Sequence, residues 1–568
     1  MYSGDGDDAE LLVKLRLTKV MPPMQIILKS LDWNPRIGFD RWLYFLRQPT
    51  DGAQLNIPCI KAGVLVKWLA TVASIWIQCT SGATYTFGIY SSALKSSQGY
   101  DQSTLDTVSV FKDIGANIGI LSGLLYSAVT SSSRFGSGLW LVYLVGAVQL
   151  FAGYFLMWLS VTGVIDRPQV WLMCLFMFMA AHAQTFFNTA NVIVAVHNFP
   201  DYSGTSIGIM KGFLGLSGAI LIQIFHTLFD GKPTTYLLML AVFPTLVSFA
   251  VMPFIHANPS NTSNDKPHLN RFSLIALIIA AYLMIIIIFQ NIFTFPSWAH
   301  ILTTTILVIM ALSPLQVALT AQRSEQRSPS PVMAPLITTL EDQNEVEMNL
   351  LQAMSTINFW LLFLAMVCIM GSALATINNI TQIGESLDYS TVEINAMVSL
   401  WSIWNFLGRF GGGYVSDWFL HRYGWGRPLF ICLTQLVMVA GYLIIGLSGN
   451  LYIGLVIAGV CYGSQWSLMP AITSEIFGVK HMGTVFNTIA AANPMGSYIF
   501  SVQVIGKIYD KEAHATGGLC HGLHCFMLSY LIFAWVCAFG VLFSFILFLR
   551  TRGFYASILQ RRLKQLHA

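Results

Sequence analysis

Apolar residues along this chain fall in blocks of about twenty, separated by short polar segments. A helix rises about 1.5 Å per residue, so a block of that length crosses a hydrocarbon layer about 30 Å thick. Fourteen such blocks predict helices at about 67–90, 105–128, 139–161, 169–194, 203–229, 235–256, 271–291, 298–320, 356–380, 391–414, 428–448, 450–472, 484–506 and 526–549. Polar stretches at 257–270 and 321–355 divide them into six, two and six. The second stretch holds Arg323, Arg327, three prolines and the acids Glu341, Asp342, Glu345 and Glu347, and reads as a linker outside the membrane. The uncharged pair at 271–320 turns at Phe293–Pro296 and predicts an inserted helical hairpin.

Composition sharpens this reading. Of 568 residues, 55% are hydrophobic and only 10% charged, where a soluble domain carries about 25% charge. The expectation is an all-α, multi-pass membrane protein. It has an N-terminal extension (1–60), a first six-helix bundle (61–256) and an inserted hairpin (257–320). A linker (321–355), a second bundle (356–549) and a basic tail (550–568) follow. Residues 1–60 mix Asp5, Asp7, Asp8 and Glu10 with bases and prolines and do not read as a signal peptide. The net charge of +4 is small and no P-loop, dinucleotide or zinc-finger pattern appears. Nucleic-acid partners, cofactors, a bound metal and enzymatic chemistry are therefore not expected. No nucleophile–base pair is evident, and His182 and His197 are not spaced as metal ligands.

The two halves echo each other. Gly115-x3-Gly119-x2-Ser122-Gly123 follows the second span as Arg409-x3-Gly413-x2-Ser416-Asp417 follows its counterpart, and Gly204-Thr205 recurs as Gly483-Thr484. Paired transporter halves leave this kind of weak repeat. The first half has Gly123 where the second has Asp417. The segment from Asn405 to Arg422 reads as a glycine-rich polar turn with Arg409, Gly413, Asp417 and Arg422 as its gating residues. Lys and Arg gather on one side of the fourteen-span scheme (Lys61, Lys67, Arg134, Arg271, Arg422, Arg427, Arg550), which predicts cytoplasmic termini. The Asn261-Thr-Ser acceptor triplet falls on that side too, and so is expected to stay unmodified.

Polar groups inside apolar spans are costly and mark function by default. Lys211 lies about two turns into an apolar, glycine-rich helix. Gln184, Asn188 and Asn191 follow offsets of four and three and share a helix face. That face reads either as a cavity lining or as helix-to-helix hydrogen bonding. Gln78 and Tyr85 in the first span, and Asn378 and Gln382 in its counterpart, complete the candidate solute site. Glu385 is expected at the outer mouth, Glu475 near Lys480 or Arg409, and a gating kink at Asn493-Pro494. Cys520-His-Gly-Leu-His-Cys525 precedes the last span on the non-cytoplasmic side. An oxidised pair is the simplest reading there, with metal binding and free thiols as the others.

From Lys67 onward the chain resembles the plant nodulin-like subfamily of the major facilitator superfamily. The resemblance rests on Lys67-Trp68, Gly82-x2-Tyr85-x-Phe87-x2-Tyr90-Ser91 and Gly204-x6-Lys211-Gly-Phe-x-Gly-Leu-Ser-Gly-Ala. Asn405-Phe-x-Gly-Arg409, Phe486-Asn487 and Gly506-x-Ile-Tyr509-Asp510 extend it. Gly413-x3-Asp417 resembles the superfamily's loop signature, over a longer loop. The resemblance implies two six-helix bundles around a central cavity and transport by rocking between two openings. It implies a small-molecule solute and a lipid bilayer as partners, in the plasma membrane or an endomembrane such as the vacuole. The more distant similarity to oxalate/formate exchangers suggests an organic anion drawn to Lys211, with the protein working as a monomer. The other class is a non-transporting receptor or scaffold on the same fold.

Overall fold

The computed structural model describes residues 59–130, 138–229, 233–255, 265–293, 295–327, 347–516 and 520–567. The N-terminal extension up to residue 58, the loop with Arg134, the Asn261 triplet and linker residues 328–346 lie outside the described residues. Among the described residues all regular structure is helical. Eleven helices among the described residues are long and apolar enough to cross a membrane.

The first half begins with α1 (Cys59–Ser81), which breaks at Gly82 and resumes as α2 (Phe87–Gln98) after one tight turn. A Cβ at Gly82 would collide with the Ser217 hydroxyl, so the break is set by close packing against the fifth span. Then come α3 (Gln102–Asn117), α4 (Ile120–Thr130), α5 (Leu139–Val161), α6 (Val170–Asn198), α7 (Ser203–Leu228) and α8 (Pro233–Val251). The inserted pair is α9 (Asp265–Ile292) and α10 (Ser297–Arg327). It packs outside the first half. Lys67 of α1 and Asp265 of α9 form a buried ion pair at 2.6 Å, the Trp76 indole donates to the Ala311 carbonyl, and Gln223 of α7 donates to Thr303.

In the second half α11 (Leu350–Met354) leads to α12 (Ile357–Met366), a widened π turn, α13 (Ser372–Asn378) and α14 (Ile380–Ser386). Next are α15 (Thr391–Tyr423), α16 (Arg427–Ser448), α17 (Leu451–Phe477), α18 (Met482–Ala490), α19 (Ala492–Tyr498), a second π stretch, α20 (Lys507–Thr516) and α21 (His524–His567). The segment expected as linker is helical at both ends, to Arg327 and from Leu350. The interruption expected at Asn493-Pro494 falls at Ala491 instead. Pro494 sits in the first turn of α19, where its missing N–H is cheap.

The largest departure concerns residues 405–422. They are not a turn but the interior of α15, a 33-residue helix begun by a Ser390–Glu393 capping box and ended by Gly424 at φ +70°. The chain turns at Gly424–Gly426, and Pro428 opens the next helix. Three of its four glycines have their bare faces filled by neighbouring helices. Gly408 and Gly412 lie against Val460 and Ser464 of α17, and Gly413 lies against Gly204 of α7. Small residues let helix backbones approach closely in a bilayer, where packing rather than water exclusion drives association.

Candidate functional site

Two sets of contacts join the halves at one end, close to where α7 and α18 begin. In the first, α7 meets α15. A Cβ at Gly413 would collide with the Gly204 carbonyl, and one at Gly208 would reach Arg409 and Phe410 backbone oxygens at 3.0–3.1 Å. The Asp417 carboxylate accepts from the Thr205 backbone N–H at 2.5 Å. Asp417 is held by Arg427 at 2.6 Å, and Arg427 also pairs with Glu475 at 2.7 Å. The Arg427 guanidinium further donates to Ser416 and, across the halves, to Ser203, while the Tyr555 hydroxyl donates to Glu475. All three ionic side chains are largely buried, so their mutual satisfaction is what makes burial tolerable.

Of the two downstream arginines it is Arg427 that holds Asp417, whereas Arg422, expected as a gating residue, is exposed. Five residues along a helix rotate about 140°, so Arg422 points away from Asp417, whereas Arg427 folds back after the Gly424 turn. Glu475 likewise pairs with Arg427 and not with Lys480 or Arg409.

The second set repeats the first without charge. Gly123 of α4 lies 2.5 Å, measured from an added Cβ, from the backbone of Gly483–Thr484. Asn487 donates to Thr189 at 2.7 Å, and Thr189 meets Ser122 at 2.8 Å. Backbone-to-backbone contact replaces the carboxylate–amide bond.

Beyond these contacts the halves separate around a cavity of about 380 Å³. Of the expected solute-site residues, Lys211, Gln184, Asn188, Tyr85 and Asn378 line it. Gln78, Asn191 and Gln382 are not among the lining residues. Gln78 is fully buried ahead of the Gly82 break. Asn191 lies about 4.5 Å nearer the closed end than Asn188 and accepts from the Tyr143 hydroxyl. Gln382 follows the break at Asn379, which resets the helix register.

The centre of the cavity is cationic. Lys211 is 1% exposed, and its Nζ lies 4.8 Å from the Trp466 ring centroid and 4.9 Å from that of Phe486. Arg409 lies over the same Trp466 ring at 5.9 Å. It donates to Asn405 Oδ1 at 2.9 Å, to the Lys211 carbonyl at 3.0 Å and to the Tyr85 hydroxyl at 3.3 Å. Those bonds fix the guanidinium without neutralising it. Among the described residues no carboxylate pairs with either cation. The cavity's carboxylate, Asp113, is engaged by Lys112 at 3.2 Å. Amides complete the lining. Asn493 donates to Asn117 across the halves at 2.9 Å, while Asn188 Oδ1 and Asn493 Oδ1 lack a hydrogen-bond partner among the described residues.

Arg409, Asn405, Trp466, Asn117 and the Lys112–Asp113 pair were not expected in the solute site. Within the helix expected at 391–414, Asn405 and Arg409 fall one turn apart on a single face, a signal overridden by reading 405–422 as a turn. Nothing in the spacing announces that Trp466 of α17 meets them.

The comparisons with known proteins agree with this architecture. Residues 67–319 match the family model described as Nodulin-like, and residues 342–557 match that of the NFD4 C-terminal domain. Protein NUCLEAR FUSION DEFECTIVE 4 of Arabidopsis thaliana is 24% identical over 536 residues, covering 86% of this chain and 89% of that protein. The Probable transporter MCH1 of Yarrowia lipolytica is 26% identical over 217 residues, 34% of this chain and 43% of that one. Among solved structures, the major facilitator proton:xylose symporter XylE, bound to 6-bromo-6-deoxy-D-glucose, superposes with a TM-score of 0.54 at 12% identity. It covers 84% of this chain and 95% of that one, a likeness of fold alone.

Proposed function

Because the chain belongs to the nodulin-like proteins of the major facilitator superfamily, and is thus an integral multi-pass membrane transporter, we propose that its solute is a small organic anion. The observation that carries this reading is the pair Lys211 and Arg409, two buried cations against one tryptophan ring in a cavity between the halves, with no carboxylate partner among the described residues. A buried unpaired charge is expensive, and an anionic solute is the group that relieves it. The free amide oxygens of Asn188 and Asn493 accept hydrogen bonds from hydroxyl or amine groups of that solute.

Transport proceeds by rocking of the halves. In the conformation described here the α7–α15 and α4–α18 contacts close one end. Parting them opens that end, at the loss of the Asp417–Thr205, Arg427–Ser203 and Asn487–Thr189 bonds. The positive loops put the closed end and both termini on the cytoplasmic side, in a plasma or vacuolar membrane. One chain encloses the cavity, which supports a monomeric transporter.

The test is flux into vesicles holding the purified protein, across small carboxylates, amino acids and metal ions, beside Lys211→Ala. Saturable carboxylate flux that falls by about tenfold or more in the variant is expected, as for loss of a charged hydrogen bond. Flux untouched by the substitution would remove Lys211 from the site. A folded protein that moves none of these solutes would favour a receptor or scaffold role.

A further inference from the structure

The loop ahead of the last helix carries a chemistry that transport does not use. Cys520 and Cys525 are joined by a disulfide and are both buried. His524, exposed to solvent, faces both sulfurs. Its Nε2 lies 3.6 Å from Cys520 Sγ and 4.0 Å from Cys525 Sγ. The three ligand atoms lie within 4.8 Å of one another. The loop is held in place from outside. Gly522, at φ +104°, donates its N–H to the Ser386 carbonyl at 2.7 Å, and His521 Nδ1 lies 3.8 Å from Asp388 Oδ1. The α14–α15 connection thus supports the loop independently of the sulfur bond.

We propose that this loop is a two-state site, closed as a disulfide under oxidising conditions and, once reduced, binding a thiophilic divalent cation of the zinc class through Cys520, His524 and Cys525. A tetrahedral zinc with Zn–S of about 2.3 Å and Zn–N of about 2.0 Å sets its S···N edges near ~3.6 Å. The Cys520 distance already fits that edge, and the Cys525 distance exceeds it by about 0.4 Å. The two sulfurs must part to an edge of about 3.8 Å, and Cys525 Sγ must close on His524. Four residues separate the cysteines, within the Cys-x2–4-Cys range of zinc sites. The fourth position faces solvent and takes water or His521, whose side chain is 66% exposed.

Opening the site needs two electrons. A phosphine supplies them and leaves as its oxide with the oxygen of one water, whose two protons pass to the two sulfurs. Each thiol then gives up its proton on binding the cation, so two protons are released per ion. Elsewhere Cys79, Cys174, Cys368, Cys432, Cys461 and Cys537 are free thiols buried within the helices.

The test uses the full chain in detergent, with cobalt(II) as a coloured probe and zinc as its competitor. After phosphine reduction, one equivalent of cobalt(II) with thiolate charge-transfer and tetrahedral ligand-field bands is expected, displaced by zinc and absent from the oxidised protein. The double variant Cys520→Ser, Cys525→Ser loses the signal. His524→Ala keeps its disulfide and its fold, yet binds at least about tenfold more weakly once reduced, since even outer-shell losses cost that much. Reduced protein that takes up no cobalt or zinc overturns the proposal, as does a His524→Ala variant that binds like the parent.

Discussion

The Asp417 carboxylate in the second half accepts a 2.5 Å hydrogen bond from the backbone amide of Thr205 at the start of α7 in the first half. A carboxylate at a helix N-terminus meets unsatisfied N–H groups and the positive end of the helix dipole. The same bond is also a contact between two bodies that must part. Asp417→Asn keeps the size and removes the charge. A hydrogen bond to a charged group is worth about 1.5–3 kcal/mol, so the closed end should open roughly tenfold to a hundredfold more often. Spin labels at exposed Asp201 and Arg422, one in each half, should show a larger population at long separation. An unchanged distance distribution would mean that the bond does not hold the halves together.

Gly413 and Gly411 are neighbours with opposite surroundings. A Cβ at Gly413 would collide with the Gly204 carbonyl, whereas one at Gly411 meets nothing within 4 Å. Gly413→Ala should lower flux by more than about tenfold with normal expression. Gly411→Ala should leave flux intact and raise stability by up to about 1 kcal/mol, because alanine is the better helix former. Equal effects in thermal unfolding and flux assays would mean that helix propensity, not the close approach, matters at this seam.

Trp466 lies under both cations. Trp466→Leu keeps an apolar side chain and deletes the aromatic face. Each buried cation–π contact contributes about 0.5–2 kcal/mol. KM for the transported anion should rise roughly threefold to thirtyfold, whereas Trp466→Phe should change it less. The measurement is concentration-dependent uptake, and identical KM values for the two variants would detach the ring from solute binding.

The Lys67–Asp265 pair ties the inserted hairpin to α1, with both side chains almost wholly buried. Asp265→Ala leaves the lysine charge without this partner, for a loss of about 3–5 kcal/mol. The double change Lys67→Met, Asp265→Leu should recover much of that loss. Thermal unfolding of Lys67→Met, Asp265→Leu and their double variant gives the coupling. A double variant no more stable than Asp265→Ala would contradict a dominant pair interaction.

Much of the site was legible residue by residue. Lys211 stood out because an ammonium in an apolar span is costly, with snorkelling to the interface or structural pairing as the other reading, and Gln184 and Asn188 followed from helical spacing. Gln78 and Asn191 carry the same signal yet lie outside the cavity. Polarity in a span says that a side chain avoids lipid, and a neighbouring helix satisfies that as well as a cavity does. Arg409 was misassigned for the converse reason. Glycines suggest a turn, but in a bilayer they also mark the places where helices touch.

Hydrophobic block length, by itself, determined that this chain is a bundle of membrane-spanning helices. The faint repeat determined that the bundle has two related halves with an inserted pair between them. Those properties are local or periodic, because hydrocarbon thickness and backbone satisfaction act on each segment separately. Only the tertiary structure decided that Arg427 and not Arg422 meets Asp417, that Lys211 and Arg409 share the Trp466 ring, and that Gly204 faces Gly413. Each of those pairings joins residues distant in sequence across a helix interface. Helix packing and rotation, which no periodicity encodes, choose the partner.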